Sequence, residues 1–316
     1  MTVCVAAICE NGRKFVAATD RRLSFAGIAS DALAGKMFWY GGDWLFLYAG
    51  APSHIELVNE ELRAFPPLER TTIHKTVRAA YRQAKAEYCA HAVLAQYDLS
   101  MKEFKSEGLK MFGVKTFNRL SDQIDTVASE FYEQLLVIGY GKTENSANIF
   151  EIGPNLASHA LSGVAAIGSG AEVALSNLLL LNQARHRQLA DTIYAVAAAK
   201  FSSEMSQDSD VGNSTLMYVG WKRTETDEEG KPPGTFLEQD EIAKLRDTWE
   251  KYGKPRIPIQ SPATLWPIVS KVRKAKGEVK LEDADLRLAA ERLAPVEEWE
   301  KEEDRARRDS EKDSEG

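Results

Sequence analysis

Thr2–Val3–Cys4–Val5–Ala6–Ala7–Ile8 is followed by a turn at Asn11–Gly12 and by a second apolar run, Phe15–Val16–Ala17–Ala18–Thr19, which ends in Asp20–Arg21–Arg22. Two short apolar runs about such a turn read as a hairpin. Beyond them come Lys36–Met37–Phe38, a turn at Gly41–Gly42–Asp43, an apolar strand from Trp44 to Tyr48, and then Ala49–Gly50.

The order carries a chemical logic. A threonine hydroxyl near neutral pH is a poor nucleophile and needs a neighbouring base. If Met1 is removed, Thr2 becomes the first residue and its own α-amine, with a pKa of roughly 7.7–8.0, can take the hydroxyl proton. A lysine beside the hydroxyl favours the alkoxide, and a carboxylate beside the lysine orients and balances that charge. Lys36 and Asp20 are the candidates. The backbone N–H of a glycine just after a strand, here Gly50, can hold the oxyanion of a tetrahedral intermediate. Each residue alone has a plainer reading: Asp20 as a turn residue, Lys36 as a solvated charge, Gly50 as a strand breaker. Their order, with apolar segments between them, is the signal.

At these residues the chain resembles the proteasome β-subunit family, including the bacterial HslV-type peptidases. The resemblance implies an α+β fold, a four-layer αββα sandwich of the N-terminal-nucleophile hydrolases, over roughly residues 2–221. Ala166–Ile167–Gly168–Ser169–Gly170–Ala171 resembles the family's glycine–serine–glycine turn, so Ser169 would support the nucleophile. Asp208 and Gly212, ahead of the strand from Ser214, resemble the family's late aspartate–glycine region, with Asp210 as a substitute for Asp208. By the same analogy Tyr48 and Pro52 would line the substrate pocket. Two positions depart from the pattern: Val211 stands where the family has a serine before the last glycine, and Ala51 follows Gly50 where a second glycine is usual.

The implied activity is that of a threonine peptidase, cleaving the amide bonds of a peptide or protein substrate. Two alternatives stand beside it: a non-catalytic subunit with a structural or interaction role, favoured by Val211 and the added segments, and an amidase acting on small amides. The family implies a homo-oligomeric ring, and an ATP-dependent unfoldase is a conceivable partner.

Composition agrees. The chain has 316 residues, 44% hydrophobic and 28% charged, a globular profile with material for a sizeable core. A net charge of −7 disfavours a nucleic-acid binder. No apolar run approaches the ~20 residues of a membrane span, and no charged and apolar leader precedes Thr2, so a cytoplasmic protein is expected. Cys4, Cys9 and Cys89 form no disulfide framework, and the five histidines lack ligand spacing, so neither metal nor cofactor is expected. The string Gly139–Tyr140–Gly141–Lys142–Thr143 lacks phosphate-loop spacing and leads into a strand instead of a helix.

Further along, helices are expected over about 53–65 and 71–96, the latter with Val77, Ala80, Tyr81, Ala84, Tyr88 and His91 on one face. An insertion at about 97–127, read as a loop or extra helices, is a candidate lid or ring contact. Strands are expected over 135–140 and 148–152 about a hairpin turn, then at 164–167 and 214–221, with helices over 171–183 and 187–204. Residues 222–316 read as an extension: a linker at 224–234, an exposed helix over 236–252, shorter helical stretches, and a charged tail.

Overall fold

A computed structural model of the chain describes residues 2–25, 28–30, 35–41, 43–65, 70–141, 144–153, 157–159, 163–205, 211–224, 233–252 and 267–271. Of the expected features, Asp208, Asp210 and the charged tail lie outside these residues.

Two five-stranded antiparallel sheets form the frame. The first runs β10 (Val164–Ile167), β1 (Cys4–Cys9), β2 (Lys14–Asp20), β11 (Thr215–Trp221), β12 (Gly234–Phe236). The second runs β5 (Met37–Tyr40), β6 (Trp44–Ala49), β7 (Gln134–Gly139), β8 (Asn148–Ile152), β9 (Ala157–His159). A short pair, β3 (Leu23–Phe25) with β4 (Ile28–Ser30), stands apart. β1 and β2 are the expected hairpin, in the register Cys4↔Thr19 and Ile8↔Phe15.

The strands of both sheets are apolar on both faces, as sheets covered on each side must be. Alternation then sorts side chains into three cores. Val3, Val5, Ala7 and Cys9 pack with α4 (Ala171–Leu180) and α5 (Leu189–Met205). Cys4, Ala6 and Ile8 point the other way, into a core shared with Leu45, Leu47, Leu136 and Ile138 of the second sheet. The opposite face of that sheet, with Phe46, Leu135 and Val137, packs on α1 (Pro52–Arg63) and α2 (Arg70–Cys89) through Ile55, Val58, Leu62, Val77 and Tyr81.

Two local expectations need correction, and between them the insertion takes the helical one of its two readings. His91 does not continue the buried face of α2; it is exposed. The chain enters a π-type turn over Ala90–Leu94, and the extra residue per turn rotates Val93 and Leu94 inward instead. Most of the insertion is helical: α3 (Met101–Glu130) starts at a capping box, Ser100 with Glu103, and leaves helical geometry at Gly113. Its Phe104 and Leu120 join Val93 and Leu94 in a small separate core. Finally, the expected exposed helix over 236–252 is not simply exposed. β12 adds to β11, and α6 (Gln239–Tyr252) buries Ile242 and Leu245 in the first core while Trp249 packs 5.7 Å from Phe201.

Candidate active site

The hairpin of β1 and β2 carries Thr2 and Asp20 to the same end of the first sheet. Asp20 ends β2, and its N–H donates to the carbonyl of Val3 at 3.2 Å. Its side chain is completely buried and accepts two backbone N–H groups at this end of the sheet. Oδ1 accepts the Val3 N–H at 2.9 Å, and Oδ2 accepts the Arg22 N–H at 3.1 Å. A buried carboxylate needs this kind of saturation.

Lys36 immediately precedes β5, where its carbonyl accepts the Tyr48 N–H at 3.2 Å. Its ammonium donates to Asp20 Oδ2 at 2.9 Å and, in a short contact, to Thr2 Oγ1. Thr2, Asp20 and Lys36 are 8%, 0% and 2% exposed, so this chain of charge and hydroxyl sits where water screens it little. Behind it, the Cys4 thiol bonds to Thr19 Oγ1 at 3.3 Å and donates to the Tyr48 carbonyl at 3.2 Å. Burial pushes this thiol up to about 12, so it stays protonated and does not compete as a nucleophile.

The turn Gly168–Ser169–Gly170 closes the site from the side of β10 and α4. The Thr2 nitrogen, an amide in the encoded chain and an α-amine once Met1 is removed, donates to Ser169 Oγ at 3.3 Å. The Thr2 carbonyl accepts from the Gly170 N–H at 3.3 Å and from Ser169 Oγ at 3.4 Å. Position 168 requires glycine, because φ is +89° and a Cβ there would lie 2.2 Å from the Thr2 carbonyl oxygen. The Gly168 N–H is held by Gln134 Oε1 at 2.9 Å.

A cavity of about 430 Å³ opens beside Thr2, lined by Ala49, Gly50, Ala51, Glu130, Tyr132, Glu133, Gln134, Gly168 and Ser169. Thr2, Gly50 and Ser169 therefore share one concavity, with Asp20 and Lys36 directly behind. Tyr48 is buried 6.5 Å from Phe38 in the core under α1 and α2, and Pro52 is the first residue of α1. Val211 is buried against the first core, near the space a Gly170 side chain would take.

Sequence reading passed over four residues here. Glu133 and Gln134 line the cavity from the strand entered after the insertion, and His54 pairs with Glu133 from α1. Lys200 lies sealed in α5, donating to the carbonyl of Gly212 at 2.6 Å and to Glu204 in a short ion pair. Burial pushes its ammonium down while Glu204 draws it back up. A lone lysine within Ala195–Phe201, four residues before a glutamate, was a readable hint of that pair. Nothing in the sequence joins His54 to Glu133.

No family model matches the chain, and no curated protein matches it by sequence. Solved structures do. A Gly-1 mutant of Anbu from Hyphomicrobium sp. strain MC1 superposes with a TM-score of 0.53 at 16% identity, covering 80% of this chain and 96% of that one. Anbu from Yersinia bercovieri, described as an ancestral β-subunit, gives 0.54 at 15%, covering 79% and 93%. The Anbu complex of Pseudomonas aeruginosa, described as a helical assembly, gives 0.54 at 15%, covering 79% and 92%. At this identity the likeness speaks for the fold alone: the chain shares the fold of Anbu.

Proposed function

We propose that this protein is an N-terminal threonine hydrolase that cleaves amide bonds in peptides, with Thr2 as nucleophile after removal of Met1. The observation that carries this reading is the buried contact of Lys36 with both Thr2 Oγ1 and Asp20 at the wall of an open cavity. A structural subunit has no use for a hydroxyl held this way.

In the proposed reaction the α-amine of Thr2 takes the Oγ1 proton as Oγ1 attacks the substrate carbonyl. Lys36 stabilises the developing negative charge on Oγ1, and Asp20 keeps the lysine in place. The Gly50 N–H receives the oxyanion. Collapse of the intermediate breaks the C–N bond, and the α-ammonium returns its proton to the leaving amine. A water, deprotonated by the same amine, then hydrolyses the ester. Ser169, which already accepts from the Thr2 nitrogen, orients the amine. Asp208 is assigned to the same support by family resemblance; Tyr48 and Pro52, which the resemblance would put in the pocket wall, are not among the residues that line the cavity beside Thr2.

The succession of three cores supports a four-layer αββα arrangement over 2–221, with 222–316 as an extension. The oligomeric relatives support a homo-oligomer. The test is turnover of short fluorogenic peptides. The mature protein should cleave them and Thr2→Ala should lose all but about a thousandth of the rate, with an unchanged melting temperature. Equal turnover by Thr2→Ala would end the reading.

A further inference from the structure

Gly50 is the residue on which the proposed oxyanion site depends, and the chain there has little of its own to hold it. Its φ of +142° is open to glycine and strained for other residues. On one side it is fixed by the sheet, where Ala49 pairs with Gln134. On the other side it passes into α1, and the contact that fixes that side comes from Glu133.

Glu133 is 4% exposed and packs into the space that a Gly50 side chain would fill: a Cβ there would lie 2.5 Å from Glu133 Cγ and 3.2 Å from Oε1. Oε1 accepts two donors, the Ala51 N–H at 3.4 Å and His54 Nδ1 at 2.6 Å. Oε2 is buried with no partner among the described residues, so Oε1 bears the whole interaction. The pair is itself confined. The His54 ring stacks on Phe131 at 4.7 Å and meets Tyr88 edge-on at 4.3 Å, and the Tyr81 hydroxyl donates to the Glu133 carbonyl at 3.1 Å.

We propose that Glu133, held by His54, is a positioning residue that fixes the Gly50–Ala51 peptide and so presets the Gly50 amide for the oxyanion. This rests on the function proposed above. It also explains why a carboxylate is tolerated beside a site where negative charge develops. A free carboxylate there could turn towards the oxyanion and repel it; one held by His54 Nδ1 and the Ala51 N–H is turned to those two partners.

The prediction separates the acceptor from the charge. Glu133→Ala should lower kcat about 30-fold with KM within about twofold, because an oxyanion donor acts in the transition state. Glu133→Gln keeps an oxygen at Oε1 and should recover to within about threefold of wild type. His54→Ala should lose rate through the carboxylate left without its histidine partner, and adding Glu133→Gln to it should restore most of that loss. Hydrogen exchange of the Ala51 amide gives a readout free of turnover: faster by about tenfold or more in Glu133→Ala, near wild type in Glu133→Gln. Unchanged exchange and unchanged kcat in a folded Glu133→Ala would overturn the inference, as would a loss confined to KM or an equal loss in the glutamine variant. Labelling of wild-type Thr2 by a peptide epoxyketone keeps the two ideas apart. A protein that labels and yet shows no brace refutes only the inference; a protein that never labels refutes the function, while the exchange data still judge the brace.

Discussion

Lys36 and Lys200 are both sealed from solvent, at 2% and 0% exposure, and both reach a buried carboxylate, yet their remaining partners differ. Lys36 spends its other hydrogen bond on the hydroxyl of Thr2, which borders a cavity. Lys200 spends its others on the carbonyls of Gly212 and Ser214, at 2.6 and 3.5 Å, and on a network in which Arg246 of α6 clamps Glu204 through contacts of 2.6 and 2.9 Å. The first arrangement points at something that can react. The second ties helix, loop and C-terminal segment together. Burial of a charge is therefore no signature of catalysis by itself; the group that receives the last hydrogen bond decides.

The largest expected effect breaks the comparison on the Lys36 side. Lys36→Met should reduce epoxyketone labelling and peptide turnover by about a thousandfold or more, since groups acting as one unit fail together. Comparable activity in that variant would show Lys36 to be structural like its counterpart. Lys200→Met should do the reverse. It removes one partner of a buried pair and leaves the Gly212 carbonyl unsatisfied, a loss of about 3 kcal/mol in chemical denaturation. The folded protein that remains should keep its labelling rate within about threefold.

Arg246→Ala should show how far the C-terminal helix contributes. Its guanidinium is partly exposed, which discounts the pair, but it also lies 4.2 Å over the Phe201 ring. A stability loss of about 1 kcal/mol with unaltered turnover is expected, and a selective fall in turnover would mean that α6 acts on the site.

The smallest effect is one of pH. The Cys4 thiol, raised to about 12 by burial, contributes stability that is complete below the unfolded thiol value, about 8.5, and is lost as pH climbs towards the folded one. Lys200, lowered by burial, has the opposite sign. The unfolded chain holds its proton longer, so stability rises with pH up to about 10.4. Between pH 9 and 10, Cys4→Ala should therefore make the alkaline decline shallower by roughly 1 kcal/mol per pH unit, and Lys200→Met should make it steeper. Denaturant melts across that window read both slopes.

The same contrast explains what the sequence made legible. Thr2, Asp20, Lys36 and Gly50 could be read because they punctuate short apolar strands in a fixed order, and Ser169 because two glycines flag its turn. The two sheets followed from those runs. Glu133 and His54 could not be read, since they meet across 79 positions and each looks like an ordinary helix-end or surface residue. The buried face of α6 was missed because its charged residues outnumber the few apolar ones that reach the core. His91 failed for a local reason, the π-type turn that shifts the helical phase by one residue.

The most direct test is the intact mass of the purified protein before and after incubation with a peptide epoxyketone, which closes a ring only on a free N-terminal amine and its adjacent hydroxyl. The account predicts a protein lacking Met1 that gains one inhibitor, with no gain in Thr2→Ala. A protein that retains Met1, or loses it and stays unlabelled, would contradict the account.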